Sequence, residues 1–389
     1  MELSRTRYVG VPALTEHLVD NQQAFDDALR DDCDILGIDT EFIRVNTFYP
    51  IPALYQLAQG SQITLVDAQA KLDYTTLETT LLDPQVTKIM HACSEDLEVL
   101  QHHLGVRPRG LVDTQIAHAF LKPEFSLSYA GLVEGYLGVE LTKQSTRSNW
   151  LKRPLSEAQL EYAVDDVLYL PELWRMIRSR LEQQGRYAWF TQEMLRMLEQ
   201  PIVSAEEYYR TVKGAWRLQP RQLSILRSLV TWRELEARDR DVPRSKTVWD
   251  THLMKLAQSE SVSVRMLERT LPPGITRSYA NAVLRAFDEG KSATQLPEPL
   301  PRPFSPHQGK IVKLLRDIAS ETADRLGMAV ELLGRKRDVE ACVRHYETQR
   351  VLPSWFNGWR DELVGDSFLQ ILSGQLGCCL LYTSDAADE

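Results

Sequence analysis

Ile35-Leu36-Gly37-Ile38-Asp39-Thr40-Glu41-Phe42 reads as a core β-strand that carries two acids where apolar residues belong. Side chains alternate along a strand, so Asp39 and Glu41 share one face while Ile38, Thr40 and Phe42 fill the other. Two carboxylates one pleat apart repel each other and lose hydration on entering a sheet. Either they cap a strand end and face solvent, or a cation lies between them. Hard, oxygen-seeking ions such as magnesium or manganese suit such a pair.

Outward from that strand, residues 1–205 mix strands and helices. Leu54 to Ala58 and Ile63 to Val66 read as neighbouring strands of a meander across Gly60-Ser61, and Thr87 to His91 as another buried strand. Tyr8 to Val11 opens the domain, followed by helical spacing from Thr15 to Leu29. Ser94 offers an N-cap to a helix, which places Asp96 in its first turn. An acid there either complements the helix dipole or serves a site. Helices are also predicted over Thr76 to Leu82 and Ser126 to Tyr136. Ser156 with Gln159 forms a capping box for a helix running to about Leu170 and stopped by Pro171. On it Tyr162 and Asp166 are four residues apart and so share a face, while Asp165 points elsewhere. One long helical stretch, Pro171 to about Leu198, closes the domain.

At 389 residues the chain exceeds one comfortable core and predicts two or three domains. Its 43% hydrophobic and 25% charged residues are the balance of a soluble globular protein. No charged-then-apolar leader and no apolar run of roughly 20 residues is present, so a cytoplasmic protein is expected. Cys33, Cys93, Cys342, Cys378 and Cys379 form neither a zinc pattern nor a secreted framework and read as reduced thiols. Net charge is −9, unevenly spread: residues 1–209 carry −13 and residues 210–290 carry +6. Because phosphate attraction is screened within about 10 Å, the local excess matters more than the sum. The middle of the chain is the expected phosphate-tracking surface.

From about residue 209 only helical periodicity remains. A first helical block (209–292) has helices over Arg221 to Ala237 and Tyr279 to Phe287, with an exposed-looking turn at Pro243 to Trp249. A proline-rich linker (293–306) leads to a second block (307–376) of similar plan. Residues 377–389 fit neither pattern. They resemble the translation of a transposon-end sequencing adapter and are read as a non-native tail.

Taken together, Asp39, Glu41, Asp96 and Asp166 with the phenol of Tyr162 could converge on a divalent pair about 4 Å apart, as two-metal phosphoryl chemistry requires. The runs Asp39-Thr40-Glu41-Phe42, His91 to Val99, and Arg153-Pro154-Leu155 leading to Tyr162-Ala163-Val164-Asp165-Asp166 resemble the three exonuclease motifs of the ribonuclease D family, the tyrosine-containing branch of the DEDD 3′-to-5′ exonucleases. The helical blocks resemble paired HRDC domains, small nucleic-acid-binding modules. The resemblance covers about residues 5–375. It implies a ribonuclease H-like α/β domain, a mixed sheet flanked by helices, followed by two all-α HRDC domains.

The same resemblance implies roles. Asp39 would bridge two magnesium or manganese ions, Glu41 and Asp166 would complete one site, and Asp96 would hold the second ion partly through water. Tyr162 would orient the attacking water. The implied activity is exoribonuclease trimming of tRNA precursors and other structured RNA with a free 3′ end, with no membrane or obligate protein partner. Phe42 either fills the core or wedges against terminal bases. His91 reads as a structural histidine, since the acids around it suit oxygen-bound ions better than zinc. RNA contact is expected from Arg147 and Arg153, in a basic segment around Trp150, and from Arg221, Arg227, Arg244 and Lys246. Asn149 stands where the family tends to carry an acid, which predicts altered local contacts and intact chemistry. Two other functions fit the residues: a DNA exonuclease, and a non-catalytic adaptor. The unbroken acidic set speaks against the adaptor.

Overall fold

A computed structural model of the chain describes residues 18–29, 34–60, 62–141, 148–200 and 203–375. The chain divides into two compact units, one of residues 1–43, 52–199 and 304–389, the other of residues 44–51 and 200–303.

The first unit is built on a six-stranded sheet. Its strands are β1 (Leu18–Val19), β2 (Ile35–Ile43), β3 (Ile51–Gln59), β4 (Gln62–Asp67), β5 (Thr87–Met90) and β6 (Leu111–Asp113), in the order β1-β4-β3-β2-β5-β6. β3 and β4 are antiparallel, as the meander predicts, while β2 with β5, β5 with β6 and β1 with β4 are parallel. The acidic strand β2 therefore lies inside the sheet with neighbours on both sides, not at an edge. Around the sheet run α1 (Gln22–Ala28), α2 (Thr75–Leu82), α3 (Ser94–His103), α4 (Thr114–Ala119), α5 (Tyr129–Leu137), α6 (Glu157–Leu168), α7 (Leu170–Gln183) and α8 (Tyr187–Leu198). Gly37 permits the close seating of α7 on β2. A Cβ there would meet Ala58 Cβ at 3.1 Å and Leu170 Cβ at 3.3 Å, just two residues before Asp39.

Several boundaries differ from the sequence reading. Ser94 is the first helical residue and gives no cap, and the side chain of Cys93 at the N-cap does not cap the helix either. Pro171 does not stop a helix but starts one, in the first turn of α7, where its missing N–H costs nothing. The long stretch 171–198 is two helices, broken at Gly185, whose φ is +67°. The helix expected from Thr15 begins at Gln22, with Asn21 accepting from the N–H of Ala24. The opening segment Tyr8 to Val11 and the tail 377–389 lie outside the described residues.

The third block, expected as a separate domain, packs into the first unit and shares its hydrophobic core. It holds α14 to α17, numbered after α9 (Pro220–Asp239), α10 (Arg244–Thr247), α11 (Asp250–Ala257), α12 (Val264–Thr270) and α13 (Pro273–Ser292) of the second unit. Their spans are α14 (Pro306–Leu326), α15 (Glu331–Gly334), α16 (Lys336–Gln349) and α17 (Asp366–Leu372). The seam is specific. Arg360 and Arg196 both bond Glu193 on α8, and Arg186 donates to the carbonyls of Phe120 and Leu326. Trp189 stacks on Trp359 with ring centroids 5.8 Å apart. A buried carboxylate between two guanidiniums needs both its partners, so this block is fastened to the rest of the first unit.

The second unit centres on α9 and α13, with their own apolar core. It takes in the segment between β2 and β3. Asp241, at φ +47°, accepts from the N–H groups of Phe48 and Tyr49 at 2.9 Å each. Arg238 and Arg244 lie over the Phe48 ring, 5.6 and 4.6 Å from its centroid. Pro243 to Trp249 is not an open turn: it contains α10, and Thr247 and Val248 are buried. Among the described residues no helix is long and apolar enough to cross a membrane.

Candidate active site

Strand β2 delivers Asp39 and Glu41, and α6 delivers Tyr162 and Asp166. Ser156 and Gln159 form the expected capping box, which fixes where α6 starts and hence which face meets the sheet. One carboxylate oxygen each from Asp39, Glu41 and Asp166 lie within 4.8 Å of one another. The Tyr162 hydroxyl donates to Asp166, and its ring lies 5.9 Å from that of the buried Trp150. Asp96, in the first turn of α3, stands outside this trio of oxygens. Its Oδ1 instead accepts a 2.5 Å bond from the Thr40 hydroxyl. Thr40 is buried, as the strand alternation requires, but it does more than fill the core: it tethers the fourth acid to the acidic strand.

Crowding raises the proton affinity of the whole set. Asp39 is pushed well above the ordinary carboxylate range by burial and then by the charges of Asp96, Asp166 and Glu41. Glu41 is pushed up to about 9 by burial, then Asp166 and Asp96. Asp166 is pushed up to about 7 by burial, against the Tyr162 hydrogen bond, with Asp165 and Asp96 adding to the rise. Asp96 reaches about 6, again by burial, with the Thr40 bond working the other way. Burial and the three neighbouring carboxylates also raise Tyr162, so its phenol stays neutral at physiological pH. Asp166 Oδ2 is buried and, among the described residues, has no hydrogen-bond partner. Clustered oxygens, an orphaned acceptor and raised proton affinity together fit a divalent cation, which would supply the missing positive charge.

Three supporting residues escaped the sequence reading. Gln56 on β3 is buried, with Nε2 3.5 Å from Asp39 Oδ2. The Tyr129 hydroxyl accepts from the N–H of Tyr169, and its ring lies 5.8 Å from that of His91. Asp113 accepts from the N–H groups of Ala92 and Cys93 at 3.1 Å each, and from that of Gln115 at 2.8 Å. It thereby pins the turn between β5 and α3, where Ala92 has φ +53°, and so aims Asp96. The available signal was an acid ending the apolar run Leu111-Val112 ahead of a helix. His91 is satisfied structurally, with Nδ1 3.0 Å from Thr114 Oγ1. Asn149 caps its own turn, accepting from the N–H of Leu151.

The residues expected to hold RNA are mostly engaged within the protein. Arg153 forms a two-pronged pair with Asp67, both contacts 2.6 Å, and also donates to the carbonyls of Ala53 and Trp150. Arg244 makes a two-pronged pair with the buried Glu234 at 2.6 and 2.7 Å. The donors of Arg153 are all taken, and Arg244 has its Nε–Nη2 edge committed to Glu234, so both guanidiniums serve the fold. Lys246 donates to Asn46 Oδ1, Arg221 to the carbonyl of Ala293 and Arg227 to that of Gln295. Arg227 also lines a groove with Glu206, Glu207, Glu236, Asp239 and Glu289, a poor place for a phosphate. Phe42 is partly buried and packs against the main core. Arg147 lies outside the described residues.

Residues 17–182 match the family model for 3′-5′ exonucleases, and residues 222–286 match that of the HRDC domain. The chain is 37% identical over 352 residues to ribonuclease D of Pseudomonas paraeruginosa, covering 87% of this chain and 92% of that protein. It is 33% identical over 363 residues to ribonuclease D of Escherichia coli, covering 89% and 96%. A crystal structure of Escherichia coli RNase D, described as an exoribonuclease involved in structured RNA processing, matches with a TM-score of 0.84 at 31% identity. That match covers 92% of this chain and 98% of the other.

Proposed function

Because the chain belongs to the ribonuclease D family of 3′-to-5′ exoribonucleases, we propose that it trims tRNA precursors and other structured RNAs one nucleotide at a time from the 3′ end, releasing 5′-monophosphates. The observation that carries this is the convergence of Asp39, Glu41 and Asp166 oxygens within 4.8 Å beside the Tyr162 phenol. Asp39, Glu41 and Asp166 would hold divalent ions, with Asp96 serving a second ion; magnesium and manganese fit an all-oxygen donor set. Such ions would lower the pKa of the attacking water and neutralise charge on the phosphate.

The protein's own groups do the rest. Tyr162 is a neutral donor held toward Asp166, suited to orienting a water in line with the scissile bond rather than to attacking it. Thr40 and Asp113 position Asp96, so the loop before α3 and the strand β2 are kept in register. The helical unit with its net positive charge would hold the RNA body while the acidic unit trims its end. The third block, which the HRDC match does not reach, is proposed as a second HRDC-like copy that has become part of the catalytic unit's core.

The test is incubation of the purified chain with 3′-extended tRNA and with single-stranded DNA, each with and without magnesium or manganese. Stepwise shortening of the RNA, abolished by a chelator and by Asp39→Asn, is expected. Trimming that persists in the chelator, or after Asp39→Asn, would overturn the assignment.

A further inference from the structure

The second unit contains a cationic cavity whose lining includes none of the arginines and lysines its sequence first suggested. Lys213, Arg217 and Lys255 line a hollow of about 310 Å³ formed between the segment 213–217 and α11. Gly214, at φ +88°, turns the chain there, and Met254 Cε lies 3.8 Å from where a Cβ would stand. The three cations are exposed and, among the described residues, none has an ion-pair partner. Asp250 is the one carboxylate lining the hollow, and it pairs with the buried Arg233 at 2.9 Å. Arg217 rests on the Trp216 ring, its guanidinium carbon 4.9 Å from the centroid, which holds the fork in place.

We propose that this hollow binds the phosphodiester backbone of the RNA substrate, a positioning site that rests on the exoribonuclease reading above. Three uncommitted cations around an open hollow cost free energy through mutual repulsion, and two or three phosphates would relieve it. An arginine flanked by lysines offers one forked and two point-like phosphate donors. The same unit carries the acidic groove of Glu206, Glu207, Glu236, Asp239 and Glu289, which repels a polyanion. RNA is thereby directed to one face of the unit, and the contact is sequence-independent because it touches phosphate.

The test uses the full chain and a stem-loop RNA with a single-stranded 3′ extension, bound in the presence of EDTA so that no cleavage occurs. Lys213→Ala, Arg217→Gln and Lys255→Ala together should weaken binding by at least about 10-fold and make the salt dependence shallower by roughly 1.5 to 2.5 in log–log slope. Arg217→Lys should keep most of the affinity, and with metal restored the triple variant should trim a trinucleotide at the wild-type rate. Wild-type affinity and salt slope in the triple variant would overturn the site, as would a loss of affinity with unchanged slope. Loss of trinucleotide trimming would also count against it, since Lys213, Arg217 and Lys255 are no part of the acidic cluster. A wild-type chain that binds the stem-loop but trims nothing would fault the exoribonuclease reading and leave the phosphate site standing on the binding data.

Discussion

Neutralising a single acid of the site should stabilise the metal-free protein while destroying its activity. Asp166 titrates near 7 in the fold instead of its ordinary 3.8. Each tenfold change in proton affinity is worth about 1.4 kcal/mol, so keeping this group ionised without a cation costs on the order of 4 kcal/mol. The sign follows from which state holds the proton. Asp39, Glu41, Asp96 and Asp166 all have folded-state values above their unfolded ones, so the fold binds the extra protons. The stability they allow is complete below about pH 4 and is lost as the pH rises through roughly 6 to 9. Asp166→Asn keeps the shape and an acceptor for the Tyr162 hydroxyl, and removes one of the crowded charges. Urea denaturation in EDTA at about pH 8 should find this variant more stable than wild type by roughly 2–4 kcal/mol. At about pH 4.5 the two should nearly coincide. Adding magnesium or manganese should raise the stability of the wild type and leave the variant almost unchanged, because only the former retains the full donor set. A variant no more stable than wild type at the higher pH, or a metal-free wild type that gains stability between about pH 5 and 8, would refute the reasoning.

Tyr162→Phe should lower kcat on the order of 100-fold with little change in KM or in the metal concentration needed, as steady-state trimming assays would show, because in the proposed mechanism the phenol orients water and holds no ion. Thr40→Val removes the bond that restrains Asp96 and favours its charged form; the pH–rate profile should shift upward and the metal requirement should rise, as titrations of manganese against trimming rate would reveal. Glu193 is buried, which by itself would raise its pKa, yet Arg360 and Arg196 outweigh burial and hold it below 4.5. Its stabilising effect is therefore present at neutral pH and lost as the pH falls through that low folded-state value. Glu193→Ala, which strands the Arg360 guanidinium, should cost about 3–5 kcal/mol by chemical denaturation.

The clustering of the acids was readable from the sequence, whereas which cations the fold leaves free was not, and the difference is one of range. Asp39 and Glu41 are conspicuous because a paired charge in an apolar strand is locally expensive. Tyr162 and Asp166 are linked by the helical repeat alone, and Ser156 with Gln159 marks where that helix begins. Each inference needed fewer than ten residues of context. Whether a surface arginine is free to meet a phosphate depends instead on what the fold places beside it. Arg153 is taken by Asp67, 86 positions away, and Lys246 by Asn46, 200 positions away. Arg244 is taken by Glu234 only ten positions off, but across a turn whose burial the local pattern concealed.

The same argument explains the third block. Its helices and proline-rich leader read as an independent module because periodicity reports an apolar face without saying what covers it. The cover is set by contacts such as Glu193 with Arg360, 167 positions apart, and by Trp189 stacked on Trp359. A free-standing module would have no reason to bury a guanidinium on another domain's carboxylate, since leaving both in water is the cheaper state. That these groups are buried together implies that the catalytic sheet and the third block fold as one cooperative body. Damage at the seam should then reach the acids of β2 through the shared core, not through any surface that touches RNA.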